Sequence, residues 1–469
     1  MKLPRSIGRR TVLTLACLLS PGAFAATTPS ADIPTSAPLK TYAISDFGAV
    51  PDGKTLNTAF IQKALDAAAA AGGGVVRIPA GTFRSGSIFL REGVELTLDE
   101  GAVLLGSDQI EDYPKRETRI EGHSQDWRMA LVNAQGLTRV RISGKGQLNG
   151  NGAPFWTAFR TALAANRSTT NLDVERPRLM FIDRCADVHL EDLSFQDSGF
   201  WNLHLYKCHD VHLDRLHINA RTGPSTDGMD IDSCQDVTVR GCQISCNDDN
   251  IALKGSKGPF AEKDTDSPPV ENILVEDCEF GNGNGMITCG SEATIVRNVT
   301  VRNCRITGSA TLLTLKLRTD TPQHYSNILI DGVTLSGGRG RVLNVAPWTQ
   351  YANLQGQPPP VRSIDQVTIR NVHGEFQSLG TLRGNPGDHL ANITLENFDV
   401  KLVSEAFAYG PADKDAFVFK NVVVNGKPYL LPPPSAAATR GARRGPPGAA
   451  APGPATGTPT PATPPAATP

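Results

Sequence analysis

Several features that would define other classes of protein are missing from this chain of 469 residues. Beyond the N-terminus no apolar run reaches the roughly 20 residues that span a bilayer, which excludes a polytopic membrane protein. There is no surplus of positive charge. The 46 Lys and Arg against 47 Asp and Glu give a net charge of -1, which excludes a strongly basic nucleic-acid binder. No leucine-rich repeat with a helix per unit appears. The spacings of Cys234, Cys242, Cys246, Cys278, Cys289 and Cys304 match no zinc pattern. At 39% hydrophobic residues the chain is also too apolar to be mostly disordered.

The two ends differ from the middle. Residues 1–25 read as an export signal. Lys2, Arg5, Arg9 and Arg10 form a basic region, Val12 to Leu19 an apolar one, and Ala23-Phe24-Ala25 a small-residue cleavage site. Arg9-Arg10 also fits a twin-arginine address, so a general secretory and a folded-export route both remain open. Either route makes the protein periplasmic or secreted. Residues 432–469 are almost wholly Pro, Ala, Thr, Gly and Ser, a composition that cannot offset its ordering entropy and reads as a disordered tail. The four bases of the signal and three of the tail have no acid beside them, so the body, residues 26–431, carries a net charge of -8 against -1 for the whole chain. Removing the signal also removes Cys17 and leaves eight of nine cysteines, for which buried thiols and disulfides are both open.

The body repeats. Cys185-Ala186-Asp187-Val188-His189-Leu190, Cys208-His209-Asp210-Val211-His212-Leu213 and Cys234-Gln235-Asp236-Val237-Thr238-Val239 share one pattern. Later copies begin at Asn272, Asn298, Asn327, Gln366 and Asn392. Short β-branched runs with period-two alternation, punctuated by Gly, Asn and Asp, indicate strands. Units of roughly 20–30 residues with two or three strands indicate an all-β parallel solenoid, each turn stacked on the last. One helical stretch, 58–71, has Phe60, Ile61, Ala64 and Leu65 on one face and would cap the open N-terminal end.

Stacking brings acids together. Asp227 lies in Ser225-Thr226-Asp227-Gly228 and Asp248-Asp249 follow about one coil later. Adjacent rungs lie about 4.8 Å apart, so the three carboxylates would crowd one another and raise at least one pKa. Such a set lets one carboxyl act as an acid while another acts as a base. Solvated turn aspartates give the same spacing, and Asp-Gly is a turn signal. Lys316 and Arg318 alternate onto one strand face and suit an anionic ligand, and Lys254 is a further candidate, although a charged outer face balancing nearby acids would give the same pattern for all three. Asp230 and Asp232 also share a face, but nothing in the sequence places that face on a groove.

These residues resemble glycoside hydrolase family 28, the polygalacturonase family. The likeness runs over most of residues 43–402. It rests on Asp46-Phe47-Gly48-Ala49-Val50-Pro51-Asp52-Gly53, on Gly146 to Trp156, on Ser198 to His204, and above all on Ser225-Thr226-Asp227-Gly228 followed by Asp248-Asp249. The resemblance implies a right-handed single-stranded parallel β-helix and inverting hydrolysis of α-galacturonosidic linkages in pectin. Asp248 would protonate the leaving oxygen while Asp227 and Asp249 activate water. It also implies carboxyl groups roughly 6.5–9.5 Å apart. No metal or cofactor is expected, and no protein partner: a monomer acting on a pectic polysaccharide or oligogalacturonide. Two departures stand out. The family's Gly-His-Gly is Gly283-Asn284-Gly285, and its Arg-x-Lys is reversed as Lys316-Leu317-Arg318. Asn284 would stand beside the acids without titrating. Both departures keep another pectic backbone, such as rhamnogalacturonan, open as substrate. A calcium-dependent pectate lyase and a non-catalytic polysaccharide-binding β-helix are the remaining alternatives.

Overall fold

The computed structural model describes residues 39–434. The export signal (1–25) and all but the first three residues of the tail lie outside that range. The described chain is a right-handed parallel β-helix. Each coil contributes strands to parallel ladders. Two of them merge through long C-terminal strands into one 23-stranded sheet, and the third is an 11-stranded sheet. Only two α-helices accompany them among the described residues.

The repeat pattern has a backbone cause. Asp187, Asp210, Asp236, Asn272, Asn298, Asn327, Gln366 and Asn392 all adopt positive φ, between 44° and 60°. Asn and Asp tolerate this left-handed conformation better than other non-glycine residues. From Asp236 to Asn327 the side chains also bond rung to rung. Asn272 donates to Asp236 at 2.9 Å, Asn298 to Asn272 at 3.1 Å, and Asn327 to Asn298 at 2.8 Å. Inside, apolar residues stack in register. Leu203, Met229, Ile251, Ile287, Leu313 and Leu343 form one such column, all fully buried. All eight described cysteines are buried free thiols. Three of them, Cys185, Cys208 and Cys234, precede the repeat strands as small apolar fillers.

The expected capping helix spans Thr58–Ala70 and buries Ile61, Ala64, Leu65 and Ala68 on the first coils. The second helix, Ala153–Ala165, follows the Gly-rich stretch and buries Phe155, Trp156 and Phe159. No helix among the described residues is long and apolar enough to cross a membrane.

The 11-stranded sheet positions the candidate site. Its central strands are Met180–Asp183, Leu203–Tyr206, Met229–Asp232, Ile251–Lys254, Gly285–Cys289, Thr311–Arg318 and Arg341–Trp348. Alternation sends one set of residues inward and the other, including His204, Asp230, Thr288, Thr314 and Asn344, outward.

Candidate active site

Asp227 and Asp249 each lie two residues before a strand of this sheet. Those strands pair Met229 with Ile251, so the two aspartates stack one rung apart. The Gly228 N–H donates to the Asp249 carbonyl at 2.9 Å and locks that register. Asp248 stands beside them, and one carboxylate oxygen from each of the three lies within 4.8 Å of the others. Asp227 and Asp249 are buried and Asp248 is partly exposed. These oxygens stand closer than the 6.5–9.5 Å expected between the carboxyl groups of an inverting pair: Asp248 and Asp249 are neighbours in sequence, and Asp227 stacks one rung from Asp249.

Burial, with Asp230 and Asp248 nearby, raises the Asp227 carboxyl well above the usual range. Burial and the adjacent Asp249 raise Asp248 against the pull of Lys316 and Lys254. The Asn284 amide donates to Asp248 Oδ1 at 2.9 Å. Asp249 accepts from Thr288 at 2.8 Å and pairs with Lys316 Nζ at 2.7 Å. That ammonium lies 4.8 Å from the Trp348 ring centroid, so an aromatic face and a cation border the groove together.

Lys254 is the second compensating charge. Its Nζ is 3.5 Å from Asp227, 3.3 Å from Asp230 and 3.6 Å from Glu292, and lies over the Trp201 ring. Asp230 is fully buried, and burial pushes its carboxyl up to about 7. Burial would also raise Glu292, but Lys254, Lys257 and Arg318 hold it far below the usual range. The three aspartates lie close enough to share a divalent cation. Lys254 and Lys316 already supply positive charge on both sides, which weakens any demand for one.

The sequence-derived set is thus brought together with one exception. Arg318 faces outward like Lys316 but is 1% exposed. It forms two hydrogen bonds to Asp320, at 2.8 and 2.9 Å, and donates to the carbonyls of Gln350 and Tyr351. Its fork is consumed in holding the 349–361 loop and is not offered to the groove. Glu292, Thr288 and Trp201 joined the site without having been proposed for it, and so did Asp230. Period-two alternation marked Asp230 on a face but carried no information on which face lined the groove.

Stacked carboxylates flanked by ammonium groups on one face of a parallel β-helix can supply an acid and a base side by side. Residues 76–410 match the profile of glycosyl hydrolases family 28, and the chain belongs to that family. It is a glycoside hydrolase. It is 27% identical to an endo-polygalacturonase of Pectobacterium carotovorum subsp. carotovorum over 74% of this chain and 85% of that protein. It is 25% identical to a probable polygalacturonase of Vitis vinifera over 77% and 74%. Among solved structures, the exopolygalacturonase of Thermotoga maritima superposes with a TM-score of 0.68 at 22% identity, covering 83% of this chain and 92% of that one.

Proposed function

We propose that this protein hydrolyses α-galacturonosidic linkages in pectin. The observation that carries this reading is the crowd of Asp227, Asp248 and Asp249 between Lys254 and Lys316 on an open sheet face. Asp248, with its raised pKa and partial exposure, donates a proton to the glycosidic oxygen as the anomeric C–O bond breaks. A water hydrogen-bonded to two carboxylates spans at most about 5.6 Å between their oxygens, and Asp227 and Asp249 stand within that reach. Asp249, paired with Lys316, takes the water proton as the new C–OH bond forms, and Asp227 orients the water. The partly exposed Lys316 beside Trp348 suits a uronate carboxylate over a sugar face. Attack from the side opposite Asp248 inverts the anomeric centre. Export through the 1–25 signal would deliver the enzyme, as a monomer, to the periplasm or medium where such polymers occur.

A rhamnogalacturonan backbone is the second reading. It is favoured by Asn284 in place of histidine and by the internal pairing of Arg318, which leaves one fewer group for a carboxylate.

Incubation with polygalacturonate, rhamnogalacturonan and xylogalacturonan tests both readings. Saturated products from the first support the main reading, and products from the second alone transfer the site to the other backbone. Proton NMR of the first product formed is expected to show the inverted anomer. Chelator is expected to leave the rate unchanged. Calcium dependence with an unsaturated, ultraviolet-absorbing product would mean a lyase instead.

A further inference from the structure

The outward face of the site sheet is not equally open on both sides of Asp227. On the C-terminal side Ala252, Thr288 and Thr314 are buried, but the face then opens: Lys316, Asn344, Ala346 and Trp348 are partly exposed, as is Thr381 on the next strand. On the N-terminal side the outward residues Phe181, His204 and Tyr206 are at most 2% exposed. They are covered by the antiparallel hairpin of Lys115–Ile120 and His123–Arg128 and by the residues that follow it.

This cover is a packed roof. Ile120 and Trp127 form an apolar cluster with Phe200 and Trp201, while Met129 and Ala130 close on Phe181 and Tyr206. Buried Arg119 pairs with Asp232 at 2.9 Å and donates to Ser256 at 3.0 Å. Arg178 donates from below to Thr118 and to the Arg119 carbonyl. A buried ion pair satisfied on both sides fixes one position for the hairpin. The turn is Glu121-Gly122, both at positive φ, as a two-residue type I′ loop requires. A side chain at Gly122 would run into Glu292 and the Gly255 carbonyl, so the tip is seated on the site. Glu121 pairs with Lys257 and accepts from Asn171, and Asn171 accepts from Ser225, two residues before Asp227. The wall is continuous up to the catalytic rung.

We propose that this roof makes the groove a dead end, so that the enzyme binds one terminus of its substrate and acts as an exo-hydrolase. The proposal rests on the pectic reading above. Trp201, at the edge of the roof, lies two residues before Leu203, as Asp227 lies two before Met229, and Leu203 pairs with Met229, so the two stand one rung apart. A rung is about 4.8 Å, roughly the length of one sugar, so one sugar is released per event. The remaining chain leaves over Lys316, Trp348 and Asn344.

The test follows early products from a galacturonan hexamer labelled at its reducing end. Single sugars and pentamer appearing together, with no dimer, trimer or tetramer at low conversion, are expected. Internal fragments at the earliest times would overturn the exo assignment while leaving the hydrolase reading intact. No cleavage of any pectic oligomer would overturn the hydrolase reading itself. A second arm replaces residues 117–126 with a two-residue turn. Internal fragments from this variant are expected, and an unchanged product pattern would show that the hairpin is not the cause. If the variant fails to fold, the native time course still decides the mode of action.

Discussion

On the outer face of the solenoid Glu271 stacks on Arg297, Glu279 on Arg305 and Asp331 on Arg370, while Glu276 lies between Arg240 and Arg302. Each rung there sets opposite charges side by side, and the Arg–carboxylate contacts close at 2.5 to 2.9 Å wherever the pairs are not shorter still. In the groove the same spacing sets Asp227 on Asp249, with Asp248 and Asp230 alongside. One stacking rule therefore yields a relaxed surface in one place and a charge-frustrated one in the other. Crowded carboxylates cost stability unless they retain protons or gain cations, and this site does both, through raised pKa values and through Lys254 and Lys316.

Substitutions on the two faces should therefore separate sharply. Asp249→Ala removes the base and is expected to lower kcat by about 10³-fold or more, read by reducing-sugar release. Lys254→Met leaves Asp227, Asp230 and Glu292 buried without their cation and is expected to cost about 3–5 kcal/mol, read by denaturant unfolding. Asn284→Ala removes a hydrogen bond that favours ionised Asp248, so its carboxyl should rise further. Activity needs that proton and is lost as pH climbs through the raised pKa. The alkaline limb of kcat/KM should move up by about one pH unit, the equivalent of ~1.4 kcal/mol.

Asp227→Asn should raise thermal stability modestly while abolishing turnover. The folded pKa of Asp227 lies above its unfolded value, so its contribution falls as pH rises past the unfolded value. The gain should accordingly appear at neutral pH and vanish in acid. At the other extreme, Glu271→Gln on the outer face should leave both melting and activity unchanged, since an exposed pair adds little. A large loss there would break the contrast.

The parts readable from sequence were those that repeat or form a motif. The solenoid was legible because the left-handed turn demands Asn or Asp at one place in most coils, and the triad because its spacing equals a coil. Asp230 and Glu292 were hidden because their role depends on which face Lys254 occupies, a matter of register. Arg318 looked available because its partner Asp320 is a turn neighbour with no signal of its own. The apolar underside of the 115–128 segment, Ile120 and Trp127, became meaningful only against Phe200 and Trp201. The helix Ala153–Ala165 was masked by the Gly-rich run before it.

The central claim is that Asp248 is the proton donor within this crowd. It is tested most directly by comparing Asp248→Asn on galacturonan and on an aryl α-galacturonide whose leaving group needs no protonation. The account predicts a loss of about 10²–10⁴-fold on the polymer and a far smaller one on the aryl substrate. Equal losses on both, or undiminished turnover of the polymer, would contradict it.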